Sequence, residues 1–137
     1  MRYFNRDSLD YEFKHKLEAG LVLTGSDAKS LRTQTVQFKG SKVEIINGVP
    51  TILNLHIPPY KFGQNQTVDT TDERHLLLKE SEIATLQSLR HQKYMIIPIA
   101  IFTKGRWFKV ELGVGHKLRK YEKREKIKNE EIKRGIR

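Results

Sequence analysis

The 137-residue chain contains no cysteine. Disulfides, iron–sulfur clusters and thiolate zinc sites are excluded with it, and an oxidising compartment gains no support. Long apolar runs are missing too. The longest, Tyr94 to Phe102, has the length of a strand and not of a membrane span. The opening residues, Met1-Arg2-Tyr3-Phe4-Asn5-Arg6-Asp7, lack the apolar stretch of a signal peptide. The expectation is a cytoplasmic protein without membrane association. The usual catalytic and nucleotide signatures are absent as well: there is no P-loop, no GxSxG and no GxGxxG. Five histidines (His15, His56, His75, His91 and His116) show no metal-ligand spacing. Two of them could form a ribonuclease-type acid–base pair, but surface or strand-end positions account for them more simply. We expect no enzyme, no catalytic residue, no metal and no cofactor.

Positive charge, by contrast, is abundant. Twenty-six Lys and Arg against sixteen Asp and Glu give a net charge of +10, which suits a polyanionic partner. The charge is also unevenly placed, with ten Lys and Arg and four Glu between His116 and Arg137, a net of +6. The same stretch offers only Leu118, Tyr121, Ile127, Ile132 and Ile136 as apolar residues, too few for a core. The expected division is a body over residues 1–115, ending near Gly113-Val114-Gly115, and a basic tail over 116–137 that is disordered when free. The tail remains helix-compatible, because it lacks proline and pairs Glu122 with Lys126 and Glu130 with Arg134 at i,i+4.

Within the body the dominant period is two. Leu21-Val22-Leu23 reads as a buried strand after Leu17-Glu18-Ala19-Gly20. Val43, Ile45 and Ile46 lead into Asn47-Gly48, a strong hairpin signal, and Ile52 to Ile57 returns. Tyr94 to Phe102 is expected to pair with Trp107 to Leu112 across Thr103-Lys104-Gly105-Arg106. Pro98 lacks a ladder donor, so its N-side belongs at an edge or bulge. Two helices interrupt the strands. One runs from Asp27 to Arg32 with Ser26 as its N-cap; the other opens at Lys79 or Ser81 and carries Ile83, Leu86 and Leu89 on one face. Pro58 to Arg74 is polar and aperiodic, and reads as a mobile loop. Short strands with few helices argue for a closed barrel or a sandwich.

Cations and aromatics interleave at Lys104, Arg106, Trp107, Phe108 and Lys109. Alternation puts Arg106 and Phe108 on one face and Trp107 and Lys109 on the other. Such a face holds RNA by pairing charge with phosphates and rings with bases. The competing explanation is equally good on spacing alone: the rings belong to the core and the cations flank them. Residue chemistry by itself reaches a basic, barrel-like RNA binder.

Five blocks, taken in order, resemble one family. The run from Glu18 to Arg32, EAGLVLTGSDAKSLR, is similar to the strand-to-helix signature E-A-G-I-V-L-x-G-x-E-V-K-S-L-R of the SsrA-binding protein (SmpB) family. Leu53-Asn54-Leu55-His56-Ile57-Pro58-Pro59-Tyr60 resembles that family's N-A-H-I-x-P-Y, and Arg74-His75-Leu76-Leu77-Leu78 its R-K-L-L-L. Lys109-Val110-Glu111-Leu112-Gly113 resembles K-V-E-L-G, and Tyr121-Glu122-Lys123-Arg124-Glu125 the tail's D-K-R-E. The chain departs from the pattern at Asn5-Arg6-Asp7-Ser8, which is less basic than the family's N-K-x-A-R/K. It also departs at Glu122, where the family has Asp, and in lacking the tail tryptophan.

The resemblance implies a mainly β, OB-fold-like closed antiparallel barrel with two to three short helices and the basic C-terminal tail. It implies a monomer that binds the tRNA-like domain of transfer-messenger RNA and delivers it to stalled ribosomes for rescue and peptide tagging. Glu18, Leu77 and Lys109 match positions that the family uses against that RNA, with Asn5, Lys29 and Arg32 as further candidates. Tyr121, Glu122, Lys123 and Arg124 fall on the tail positions that occupy the small-subunit decoding centre and message channel, the tail being helical there. The alternatives are a structural ribosomal protein, a generic OB-fold RNA binder and an RNA-processing enzyme.

Overall fold

The computed structural model describes residues 2–33, 35–58 and 72–133. Seven strands are present: β1 (Arg2–Phe4), β2 (Tyr11–Leu21), β3 (Lys42–Ile46), β4 (Val49–Leu53), β5 (Arg74–Leu77), β6 (Met95–Lys104) and β7 (Trp107–Lys117). Three helices join them: α1 (Gly25–Thr33), α2 (Glu80–His91) and α3 (Lys120–Lys133), with a 3-10 turn at Arg6–Asp10. All strand pairs are antiparallel, in the order β1-β6-β3-β4-β5-β2-β7. A further β6–β7 pairing closes the cycle, so six strands form a ring and β1 lies against β6 beyond the point where β3 leaves it. The mainly β, OB-like expectation holds.

The interior is filled by one apolar cluster. Val43, Ile52, Ile96, Ile101, Val110 and Leu112 enter it from the strands, Leu31 from α1 and Leu86 from α2, all at most 1% exposed. Emptying any of the leucine sites would cost about 2–5 kcal/mol.

Local chemistry explains the turns. Asn47 and Gly48 have φ of 50° and 80°, the left-handed pair that a two-residue hairpin needs, and β3 and β4 meet across them at Ile46 and Val49. Pro98 lies where the β6–β7 register shifts, so the bulge expected there is present. Asn5 serves that bulge: its backbone N–H donates to the Ile99 carbonyl and its side-chain amide to the Pro98 carbonyl, each at 2.8 Å.

Several boundaries differ from expectation, each for a local reason. β2 begins at Tyr11, ten residues before Leu21, and its clustered charges (Glu12, Lys14, Lys16) hid a strand that pairs with β7 along nearly its whole length. Val22 and Leu23 lie beyond the strand, and Val22 is exposed. The run from Ile52 to Ile57 is broken at Asn54, whose φ is 59°. The expected four-residue loop is a two-residue turn, Gly105-Arg106, with Gly105 at φ 64°. Helix α1 is capped by Thr24, not Ser26, because the Thr24 hydroxyl accepts the Asp27 N–H at 3.0 Å. α2 opens after Lys79, whose backbone N–H donates to the Glu82 carboxylate at 2.9 Å. Of the expected loop from Pro58 to Arg74, residues 59–71 lie outside the described residues, and Arg74 belongs to β5.

β7 continues through the 113–115 boundary to Lys117. It can pair closely with β2 there because Gly113 and Gly115 lack side chains. A Cβ on Gly115 would stand 1.8 Å from the Glu12 carbonyl oxygen, and one on Gly113 would stand 2.6 Å from the Phe13 ring. Beyond β7 the chain forms α3 from Lys120, in keeping with its content of Lys, Glu and Arg.

Candidate nucleic-acid interface

Register places the candidate residues on one outward row. Leu77 of β5 is opposite Gly20 of β2, Gly20 is opposite Lys109 of β7, Lys109 is opposite Phe102 of β6, and Phe102 is opposite Arg2 of β1. Directly opposed residues share a face of the sheet, so five adjacent strands present a single line of side chains. Gly20 is the low point of that line. A Cβ there would lie 3.3 Å from Leu77 Cβ, so the bare backbone lets the Leu77 side chain lean across β2. Leu77 is 66% exposed, an unusual state for a leucine beside a core.

Charge surrounds the row. Glu18, two residues before Gly20 and on the same face, pairs with Lys104, Oε2 to Nζ, at 3.5 Å, and both groups are open to solvent. Arg2 lies with its guanidinium 5.5 Å from the centre of the Phe102 ring and 3.9 Å from Glu111. The N-terminal segment therefore joins this surface through Arg2. Asn5 does not: it is 2% exposed, and its side chain is spent on Pro98 and on accepting the Asp7 N–H.

Helix α1 borders the other end. Its seat is set by Arg74, which donates from Nε to Asp27 Oδ2 at 3.0 Å and from Nη1 to the Leu55 carbonyl at 2.6 Å, deep in the fold. Ser30 fixes the helix further by donating to the Pro58 carbonyl. Lys29 and Arg32, three residues apart, are exposed on α1. The Arg32 guanidinium stands 5.5 Å from the centre of the Phe108 ring. Between α1 and the start of β7 runs a groove of about 550 Å3, lined chiefly by Leu21, Val22, Leu77, Arg32, Arg106 and Trp107. The interleaved rings of β7 divide here. Phe108 is core at 7% exposure, whereas Trp107 is surface at 67%. One ring of that stretch thus belongs to the core and the other to the surface.

Arg2 and Phe102 were missed by sequence reasoning, because nothing in Arg2-Tyr3-Phe4 announces that it pairs with β6. Among the described residues no group of three His, Asp or Glu could hold a metal ion, and no helix is long and apolar enough to cross a membrane.

The tail leaves from the opposite end of β7. Lys126 of α3 donates to the Tyr11 carbonyl at 2.6 Å and lies 6.0 Å from the centre of the Phe13 ring, which stacks on Tyr11. Burial first, and then Asp10 and Asp7, push the Tyr11 phenol above its ordinary value of 10.0. Glu122 is half-buried and accepts from the Arg119 backbone N–H at 3.3 Å, while Arg124 is exposed. The side chains of Tyr121 and Lys123 lie outside what is described.

With this geometry in place, comparison with known proteins is informative. The family model described as SmpB protein matches residues 4–137. The SsrA-binding protein of Lactobacillus johnsonii is 40% identical over 130 residues, covering 94% of this chain and 86% of its own. That of Geotalea uraniireducens is 38% identical over 128 residues, covering 93% of this chain and 85% of its own. A chain of the solved structure described as "tmRNA-SmpB: a journey to the center of the bacterial ribosome" superposes with a TM-score of 0.72 at 35% identity. That alignment covers 88% of this chain and 87% of the other.

Proposed function

Because the chain belongs to the SmpB family, we propose that it binds the tRNA-like domain of transfer-messenger RNA and carries it to stalled ribosomes, acting in the cytoplasm by binding and not by catalysis. The observation that carries this reading is the outward row from Leu77 through Gly20 and Lys109 to Phe102 and Arg2, bordered by Lys29 and Arg32. It combines exposed apolar surface with cations, which is what folded RNA with unpaired bases needs: phosphates are met by charge, and sugar and base edges by flat apolar surface.

Within that surface Lys109 contacts phosphate, Leu77 packs against ribose or base, and Glu18 orients Lys104 or accepts from a base edge. Asn5 contributes indirectly, by holding the Pro98 bulge and with it β1. The body is the RNA-holding unit and the tail beyond it the ribosome-engaging unit. Tyr121, Glu122, Lys123 and Arg124 lie in the first turns of α3, and there they enter the decoding centre of the small subunit. A basic helix suits a tunnel of ribosomal RNA, since phosphate contacts offset the cost of ordering it.

Sequencing the small RNA that co-purifies with the tagged protein tests the reading. Transfer-messenger RNA should dominate. Stoichiometric retention on ribosomal subunits after a high-salt wash, without that RNA, would instead identify a structural ribosomal protein.

A further inference from the structure

Trp107 is the chain's only tryptophan and stands two-thirds exposed at the mouth of an apolar groove. A tryptophan placed for the core is not left in water, and one placed for solubility is not set beside an apolar hollow. Arg32 also lines the groove, and its planar guanidinium lies over the Phe108 ring. The lining includes the apolar Leu21, Val22 and Leu77, and Arg106 and Lys109 are further cations at the groove.

A flat group entering this hollow would meet both an indole and a ring-backed guanidinium in its lining. Both are stacking partners for a nucleobase, and Arg106 and Lys109 stand where the phosphates flanking such a base could be met. A fully paired helix cannot use the hollow, because its bases are stacked on one another.

We infer that the groove between α1 and the start of β7 is a subsite for one unpaired nucleobase of the bound RNA, stacked on Trp107 and Arg32. This rests on the RNA-binding reading above and adds what that reading leaves open: the protein selects RNA whose loop exposes a base, and Trp107 and Arg32 are binding residues.

The single tryptophan makes the test direct. The full chain is titrated with the tRNA-like domain of transfer-messenger RNA, labelled so that anisotropy reports binding while Trp107 emission reports the groove. A fully paired RNA duplex of equal length is titrated in parallel. The tRNA-like domain should change Trp107 emission in step with the anisotropy, and the duplex should bind without changing it.

Trp107→Ala should weaken the tRNA-like domain about 5- to 150-fold, the range that loss of one stacked base gives. Trp107→Phe should restore most of the loss, and Trp107→Lys should not, although it adds a cation. Arg32→Ala, which leaves the indole in place, should give a loss in the same direction if Trp107→Ala proves unstable. Binding by anisotropy with unchanged Trp107 emission, or full rescue by Trp107→Lys, overturns the base subsite and leaves the RNA-binding reading standing. Absence of any anisotropy change overturns both.

Discussion

Arg74 grips Asp27 across 47 positions of sequence, Nε to Oδ2 at 3.0 Å, and both side chains are almost wholly withdrawn from water. The pair joins the strand that carries Leu77 to the helix that carries Lys29 and Arg32, so one contact sets how these two elements sit at the Leu77 end of the row. Breaking a buried ion pair from one side strands the other charge, at a cost of about 3–5 kcal/mol. Asp27→Ala is expected to lower unfolding stability in urea by that amount. A loss below about 1 kcal/mol would mean that the fold seats α1 without this pair.

Binding should be strongly salt-dependent. If Lys109 neutralises one phosphate, Lys109→Ala will reduce the slope of log affinity against log salt by about 0.7–0.9, with stability changed by less than about 0.5 kcal/mol. Glu18→Ala, at an exposed position, should lower affinity at an unchanged melting temperature. An unchanged salt slope in the Lys109 variant would remove that residue from the phosphate contacts.

The strand arrangement is partly legible in the sequence. Asn47-Gly48 dictates its hairpin, and Pro98 dictates its bulge, because each residue has only one comfortable backbone role there. The first half of β2 was harder to read: Tyr11, Phe13 and Leu17 alternate with Glu12, Lys14 and Lys16, but His15 breaks the apolar row and the register with β7 shifts between Phe13 and His15. Glu18, Leu77 and Lys109 were found through resemblance, and register then showed why Leu77 and Lys109 belong together: Gly20 is the neighbour of both. Nothing local could reveal Asp27 as buried, since its partner lies beyond two hairpin strands.

Glycines of β2 and β7 yield a graded test. Gly115→Ala would drive a methyl group to 1.8 Å from the Glu12 carbonyl, whereas Gly20→Ala would meet only Leu77 Cβ at 3.3 Å. The first should destabilise by about 1–3 kcal/mol or more, as overpacking against backbone does. The second should shift stability less but weaken RNA binding by tilting Leu77. Equal stability losses in the two variants would contradict this ranking.

The tail can be removed with the strand ladder intact, at the loss of the Lys126 bond to the Tyr11 carbonyl, provided the cut respects β7. Truncation after Arg119 keeps the Leu118 N–H bond to the Asp10 carbonyl at 2.8 Å and the whole β2–β7 ladder. The truncated protein should bind transfer-messenger RNA within a few-fold of the full chain and fail to support peptide tagging on stalled ribosomes. Tagging at the full rate would take Tyr121 to Arg124 out of the functional residues.

Tyr11 predicts an alkaline weakness. Its phenol is held protonated in the folded state beyond its ordinary range, by burial and then by Asp10 and Asp7. The stabilisation is complete below the unfolded value and is lost as pH rises through the folded one. Melting temperature should therefore fall more steeply above about pH 10 in the wild type than in Tyr11→Phe. Parallel curves for the two proteins would show that the tyrosine does not couple to folding.

β7 also acts as a ruler. Lys109 and Lys117 are eight residues apart on one strand, roughly 27 Å at the rise of an antiparallel strand. Neighbours are hydrogen-bonded along both its edges over much of that length, so it cannot slip. The interval between the RNA surface and the root of the tail is thereby fixed in angle as well as in length. One inserted residue would turn every later side chain to the opposite face, and two would restore the face but lengthen the reach by about 7 Å. The separation between the row at Lys109 and the start of α3 is thus written into a single strand.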